Sequence, residues 1–314
     1  MPDCTATVDR HASHSAWQAT LALDFVDDAG TTRLAGNRHY GPLRVQKALY
    51  PEGGAVCHAI IVHPPGGVVG GDQLAVTVDV GARAHAFLST PGAAKWYKAN
   101  GKVSRQRIEL AVGAGAALEW LPQETIFFDS AHVELEQHIA LAADAVYLGC
   151  EILCMGRRAS GETFATGRVT QRTQIRRDGK LIWWEQGALL GGALDSPLGL
   201  NGRSVCATLI AAGAPLTPAA LAELRNAVSA DLAARHAGVA NTSAANTGAA
   251  NVGAANTGAA SAPAVGLTQT KGVLVARHLG DDSETARHIM LAVWRHLRPH
   301  LLGRAAVVPR IWQT

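Results

Sequence analysis

Apolar and polar residues alternate with a period of two through much of the first 210 residues. Leu74, Val76, Val78 and Val80 alternate with polar or small residues, as do Ile108, Leu110 and Val112. Val133 and Leu135 continue the pattern, followed by Ile139 and Leu141. That period marks half-buried strands. Turn residues fall at Gly81, Gly113 and Asp144, and Asp178-Gly179 predicts a hairpin joining Thr173–Arg177 to Leu181–Trp184. Three segments, TVDVGARAHAFL, ELAVGAGAALEW and ALAADAVYLGCE, share a strand–turn–strand shape, with turns at Gly81, Gly113 and Ala143 spaced 32 and then 30 residues apart. Units repeating at such a period stack to bury a shared core. The expected fold class is therefore mainly β: stacked, solenoid-like β-sheets. Coincidence in an alanine-rich chain is the competing explanation of the repeat.

The period changes in the C-terminal half, where two α-helices are predicted. Thr217-Pro218 supplies an N-cap and a proline at the first helical position, and Leu221, Leu224, Val228 and Leu232 form one apolar stripe. Asp281, Asp282 and Glu284 suit the start of a second helix with Ile289, Met290, Val293 and Leu297 inward, and Pro299 is expected to stop it. Between them, residues 241–260 read NTSAA, NTGAA, NVGAA, NTGAA. These pentads carry almost no apolar side-chain volume to offset the entropy of ordering. The expected organisation is a flexible tail over residues 1–14 and one β-rich domain over 15–314, interrupted by a disordered insertion at 238–266.

The 314 residues suffice for one large domain or two small ones. Charged residues make up 17% of the chain against a usual value of about 25%, a lean surface that suits coverage by a protein partner. A net charge of +3 with no basic run argues against nucleic acid and membrane surfaces. No signal-peptide core and no window of about 18 apolar residues occurs, and the odd set of 5 cysteines makes no disulfide framework. These features point to the cytoplasm.

The string HPPGGVVGGD, His63 to Asp72, predicts a tight loop that holds Asp72 at its exit. A phosphate cradle lacks its Gly-Lys-Ser/Thr, and an ordinary inter-strand loop is the simpler alternative. Asp72, Glu119, Glu124, Asp129, Glu151, Glu162, Glu185 and Asp195 recur near the turns, where they could solvate strand ends or pair with Arg157, Arg158 or Arg168. Arg157 and Glu162 could form a loop-fixing ion pair. Cys150 and Cys154 would sit about 13 Å apart on a strand, too far to share a metal, and read as buried hydrophobes. His63 reads as a loop anchor. No G-x-S-x-G occurs, and Cys57 and His58 point to opposite faces of a strand, which excludes a dyad. Trp183-Trp184 likewise straddles a sheet, with one ring inward and one available to a partner.

HPPGGVVGGD, TPGAAKWY (90–97), LEWLPQETIFF (118–128), GRRASGE (156–162) and the ending PRIWQT occur in this order. Together they make the chain resemble the UreD (UreH) urease accessory proteins over residues 15–314, apart from the insertion. The resemblance implies a non-catalytic scaffold that binds apo-urease and UreF, and through UreF the GTPase UreG. Such a scaffold conveys Ni²⁺ to the urease active site as its bridging lysine is carbamylated. No tightly bound cofactor is implied; Ni²⁺ would be in transit through an internal tunnel. The resemblance places Asp72, Glu151 and Glu185 nearest that route, with Gln123 and Glu124 close by. Arg298, Pro299 and Trp312, on the last helix and tail, are expected to contact UreF. Two other classes stand beside this reading. One is a hydrolase using Asp72 with Glu124 or Glu185; the other is an adhesive β-repeat protein, for which the expected secretion signal is missing.

Overall fold

The computed structural model describes residues 16–245 and 265–313. The predicted N-terminal tail lies outside them. Seventeen strands and two long helices form among the described residues. The strands are β1 (Gln18–Asp28), β2 (Thr31–Tyr40), β3 (Arg44–Leu49), β4 (Cys57–Val62), β5 (Gln73–Val80), β6 (His85–Ser89), β7 (Ala94–Trp96), β8 (Ser104–Val112), β9 (Ala117–Trp120), β10 (Thr125–Phe127), β11 (His132–Leu141) and β12 (Val146–Met155). There follow β13 (Arg168–Arg177), β14 (Lys180–Leu190), β15 (Val205–Ala212), α1 (Pro218–Ala245), β16 (Gly266–Thr270), β17 (Val273–Gly280) and α2 (Ser283–Leu302).

One sheet runs β14-β13-β11-β8-β5-β1-β2 and the other β16-β17-β15-β12-β9-β6-β4-β3, with β10 beside β12 and β7 beside β10. Apart from the short β7 and β10, the strands from β4 to β13 alternate between the sheets, which makes the centre of each sheet parallel, while the strands at its ends pair antiparallel. The solenoid-like stack expected from the repeat is therefore what forms. Its turns show why the repeat exists. Gly81, Gly113 and Ala142 each donate a backbone N–H to the coil before, at Phe25, Val80 and Val112, and each accepts from the residue three ahead. One turn geometry, repeated, satisfies its own backbone and its neighbour's. The Asp178-Gly179 hairpin also forms, with φ of 47° and 73° at its two central residues.

Two apolar cores result. Leu21, Leu23, Phe25, Val78, Leu110 and Leu118 fill the space between the sheets. The helices cover the outer face of the larger sheet, where Ile289, Val293, Trp294 and Leu297 of α2 and Leu224 and Val228 of α1 meet Leu148, Ile152 and Leu209. β6 and β9 are thus buried on both faces, which is why HAFLS and ALEW read as nearly unbroken buried runs.

Both helix starts follow the sequence. Thr217 Oγ1 accepts from Ala220 N, and Asp282 accepts from Thr285 N. Pro299 does not stop α2, which continues to Leu302 and ends at a left-handed Gly303. A proline one turn from the end removes only a single intrahelical bond, to the carbonyl of Arg295. The backbone of α1 runs on to Ala245, past the Gly238 boundary expected from composition, and β16 begins at Gly266. Residues 246–264 of the predicted insertion lie outside the described residues.

Candidate functional site

Strand alternation decides which way each acidic residue faces. On β12, Tyr147, Leu153 and Met155 point between the sheets, while Leu148, Cys150, Ile152 and Cys154 point under the helices. Glu151 shares the inward parity. It accepts a hydrogen bond from Gln171 Nε2 on β13, in the opposite sheet. On β14, Glu185 also faces inward, and its Oε1 accepts from Arg277 Nη2 of β17 at 2.6 Å. Arg277 Nε in turn donates to Thr208 Oγ1 at 3.2 Å. Glu151, Thr208 and Arg277 lie side by side in register across β12, β15 and β17. Gln171 and Thr173 lie opposite Gly187 and Glu185 in the β13–β14 pair. Cys206 completes the inward set on β15.

The apolar interior thus gives way to a polar layer at the β13–β14 end. Burial raises the Glu151 carboxyl to about 7; the Gln171 hydrogen bond opposes this, the Glu185 charge adds to it, and Arg277 opposes it. Burial also pushes the Cys206 thiol up to about 11. Two carboxylates, an amide and a hydroxyl offer oxygen ligands of the kind that bind divalent cations weakly. Among the described residues, no group of three or more His, Cys, Asp or Glu side chains is placed to hold a metal ion.

The other predicted residues sit elsewhere. Asp72 is buried and spends both oxygens on backbone, accepting from Trp17 N at 2.9 Å and Val69 N at 3.0 Å. The glycines before it serve that geometry. Gly71 has φ of +99°, and a side chain on Gly70 would strike the Ala99 carbonyl. Burial lowers the pKa of His63 in this loop, against the pull of Asp72. Gln123 and Glu124 lie on the other side of the larger sheet, under α2, where Glu124 pairs with Arg287. Gln123 lines a small apolar cavity of about 30 Å³ with Leu121, Cys150, Met290 and Trp312. Glu151 and Glu185 come together; Asp72, Gln123 and Glu124 do not join them. Arg157 and Glu162 do form their loop-fixing pair.

The expected partner contacts need correction. Arg298 is fully buried and cannot be touched from outside. It binds Glu119 through Nε at 3.0 Å, Glu52 through Nη2 at 2.9 Å and the Ala305 carbonyl through Nη1. Trp294 Nε1 donates to Glu119 at 2.6 Å, and His85 and His58 sit against Glu119 and Glu52 at 2.8 and 2.7 Å. Burial opposes ionisation of Glu52, yet His58 and Arg298 hold its carboxyl down at about 2. Burial likewise opposes ionisation of Glu119, but His85, Arg298 and Trp294 keep it below the usual range. Trp312 folds back onto Phe87 and Trp294 and donates to Ser89 Oγ at 2.8 Å. Pro299 alone of the three is exposed.

Sequence reasoning missed Gln171, Thr208, Cys206 and Arg277. A signal existed in β13, where Gln171 and Thr173 occupy the same parity as the buried Val169 and Ile175.

Comparison with known proteins gives a consistent result. A family profile described as "UreD urease accessory protein" matches residues 18–313. The urease accessory protein UreD of Janthinobacterium sp. (strain Marseille) is 57% identical over 299 residues, covering 95% of this chain and 92% of the relative. The UreD protein of Nitrosospira multiformis is 48% identical over 305 residues, covering 96% and 100%. That of Dechloromonas aromatica is 46% identical over 304 residues, covering 95% of each.

Proposed function

Because the chain belongs to the UreD family of urease accessory proteins, we propose that it serves urease maturation as a non-catalytic scaffold and nickel conduit. It binds apo-urease and UreF in the cytoplasm, and through UreF the GTPase UreG. Ni²⁺ passes through it as cargo on the way to the urease active site. The observation that carries the conduit is the polar layer, where Glu151 and Glu185 face each other's sheets inside an otherwise apolar stack. Oxygen groups along such a layer replace the water that a divalent cation must shed, which lowers the penalty for crossing a protein interior.

The hydrolase alternative needs two carboxylates at one site. Asp72 is committed to backbone N–H groups, Glu124 to Arg287 and Glu185 to Arg277. No acid–base pair is formed from them.

The test is co-expression with the urease subunits and the other accessory proteins. The chain is expected to co-purify with apo-urease, and the complex to gain urease activity with Ni²⁺ and bicarbonate. The double variant Glu151→Gln with Glu185→Gln should co-purify equally but deliver little nickel. Full activation by that variant would refute the conduit; failure of the unaltered chain to co-purify would refute the scaffold.

A further inference from the structure

We propose that Gly187 is the gate of the polar layer: the side chain it lacks keeps open the notch through which a hydrated divalent cation reaches Glu151. The proposal rests on the conduit reading and adds to it the place of entry or exit.

Glycine in a strand normally has a backbone reason. Gly191, just after β14, has one: a Cβ there would lie 2.2 Å from Thr166 C. Gly187 has none. Its φ is not in the left-handed region, and a Cβ built on it meets nothing within 4 Å. A strand would gain from a larger residue at such a site, so the empty space is itself the feature.

Its position gives that space a use. Trp183, Glu185, Gly187 and Leu189 share the inner parity of β14, the edge strand of its sheet among the described residues. Gly187 pairs in register with Gln171, the residue that holds Glu151. Although it faces inward, Gly187 is exposed, and Gln171 and Glu151 each keep some accessible surface. The proposed path runs from the sheet edge past Gln171 to Glu151. The Glu185–Arg277 bridge bounds it on one side and Leu189 on the other.

Cys206 provides a native reporter. It faces the same layer and is only partly buried, whereas Cys57, Cys150 and Cys154 are buried. Its thiol feels the charges of Arg277, Glu151 and Glu185. Cys4, outside the described residues, is removed in the test protein by Cys4→Ser.

The experiment measures the rate at which a small methanethiosulfonate reagent labels Cys206 in the full-length chain. The series is glycine, Ala, Val and Leu at position 187. Rates should fall progressively with side-chain size, reaching roughly tenfold for Gly187→Leu, the factor that about 1.4 kcal/mol of opening free energy produces. Thermal midpoints should hold or rise along the series, which separates closure from unfolding. Urease activation in the co-expression assay should slow in the same order. Labelling that is unchanged by Val and Leu, with the fold intact, overturns the gate. Slowed labelling with undiminished activation supports the gate and counts against the conduit, so the two ideas fail separately.

Discussion

Arg298→Met is the most demanding test of the packing between α2 and the larger sheet. The guanidinium is fully buried and serves two carboxylates, Glu119 and Glu52, together with the Ala305 carbonyl. Methionine fills similar volume without charge or donors. The substitution leaves two buried carboxylates with His85, His58 and the Trp294 N–H beside them but no guanidinium. Removing one partner of a buried ion pair costs about 3–5 kcal/mol, because the remaining charge stays desolvated. Against a usual total stability of about 5–15 kcal/mol, that is a large fraction. For a chain of this size the thermal midpoint should drop on the order of 10 °C.

Thermal unfolding followed by circular dichroism reads the effect, with Arg304→Met on the exposed tail as control. Limited proteolysis should also show the tail after Gly303 cut sooner, since Arg298 no longer holds Ala305. A midpoint within a degree or two of the control would refute the network as a structural clamp. Lost UreF co-purification at full stability would restore Arg298 as a direct contact.

Three further outcomes follow from the same geometry. Glu151→Gln should stabilise the protein above pH 7 by up to about 3 kcal/mol and change little below pH 4, because one pKa unit is worth about 1.4 kcal/mol. The sign follows from a folded-state pKa of about 7 against 4.5 unfolded: the native state binds the extra proton, so wild-type stability falls as pH rises through that window, and pH-resolved melting that shows no such difference refutes it. Asp72→Ala leaves the Trp17 and Val69 N–H groups without their acceptor and should cost roughly 1–3 kcal/mol in denaturant titration; intact stability with lost nickel delivery would instead make Asp72 a ligand. Exchanging residues 246–264 for a glycine–serine segment of equal length should leave urease activation unchanged, since the pentads offer no large apolar side chain to a partner.

The stack was legible because its coils repeat one local solution. Gly81, Gly113 and Ala143 mark turns whose strand, turn and strand all fall within a dozen residues, so period and turn chemistry agree. Arg298 was not legible for the opposite reason. On α2 it looks like a solvated cation at a helix C-terminus, and only Glu52, 246 residues earlier in the chain, and Glu119 make it internal. The grouping of the acidic residues was only half legible. Glu151 and Glu185 share the inward parity of their strands, but that parity has meaning only once β12 and β14 are assigned to opposing sheets. Asp72 and Glu124 carry the same chemistry in sequence and are separated by strand pairing alone.

The two internal acidic clusters, one fully buried and one partly accessible, obey opposite logic, and the contrast bears on function. Around Glu119 every charge has a partner, and its carboxyl is held ionised despite complete burial. Such a network stabilises the docked helix and has nothing to gain from a visiting ion. Around Glu151 the balance is left unfinished: one amide donor, a second carboxylate nearby that already engages Arg277, and a proton retained up to about pH 7. An apolar residue on β12 would serve the core better, since the acid in its place works against folding once ionised. On the proposed conduit reading, a divalent cation entering the layer would supply the missing charge and reverse that penalty. The site would then bind its cargo with energy the empty fold lacks, and would release it when Arg277 and water reclaim the carboxylates.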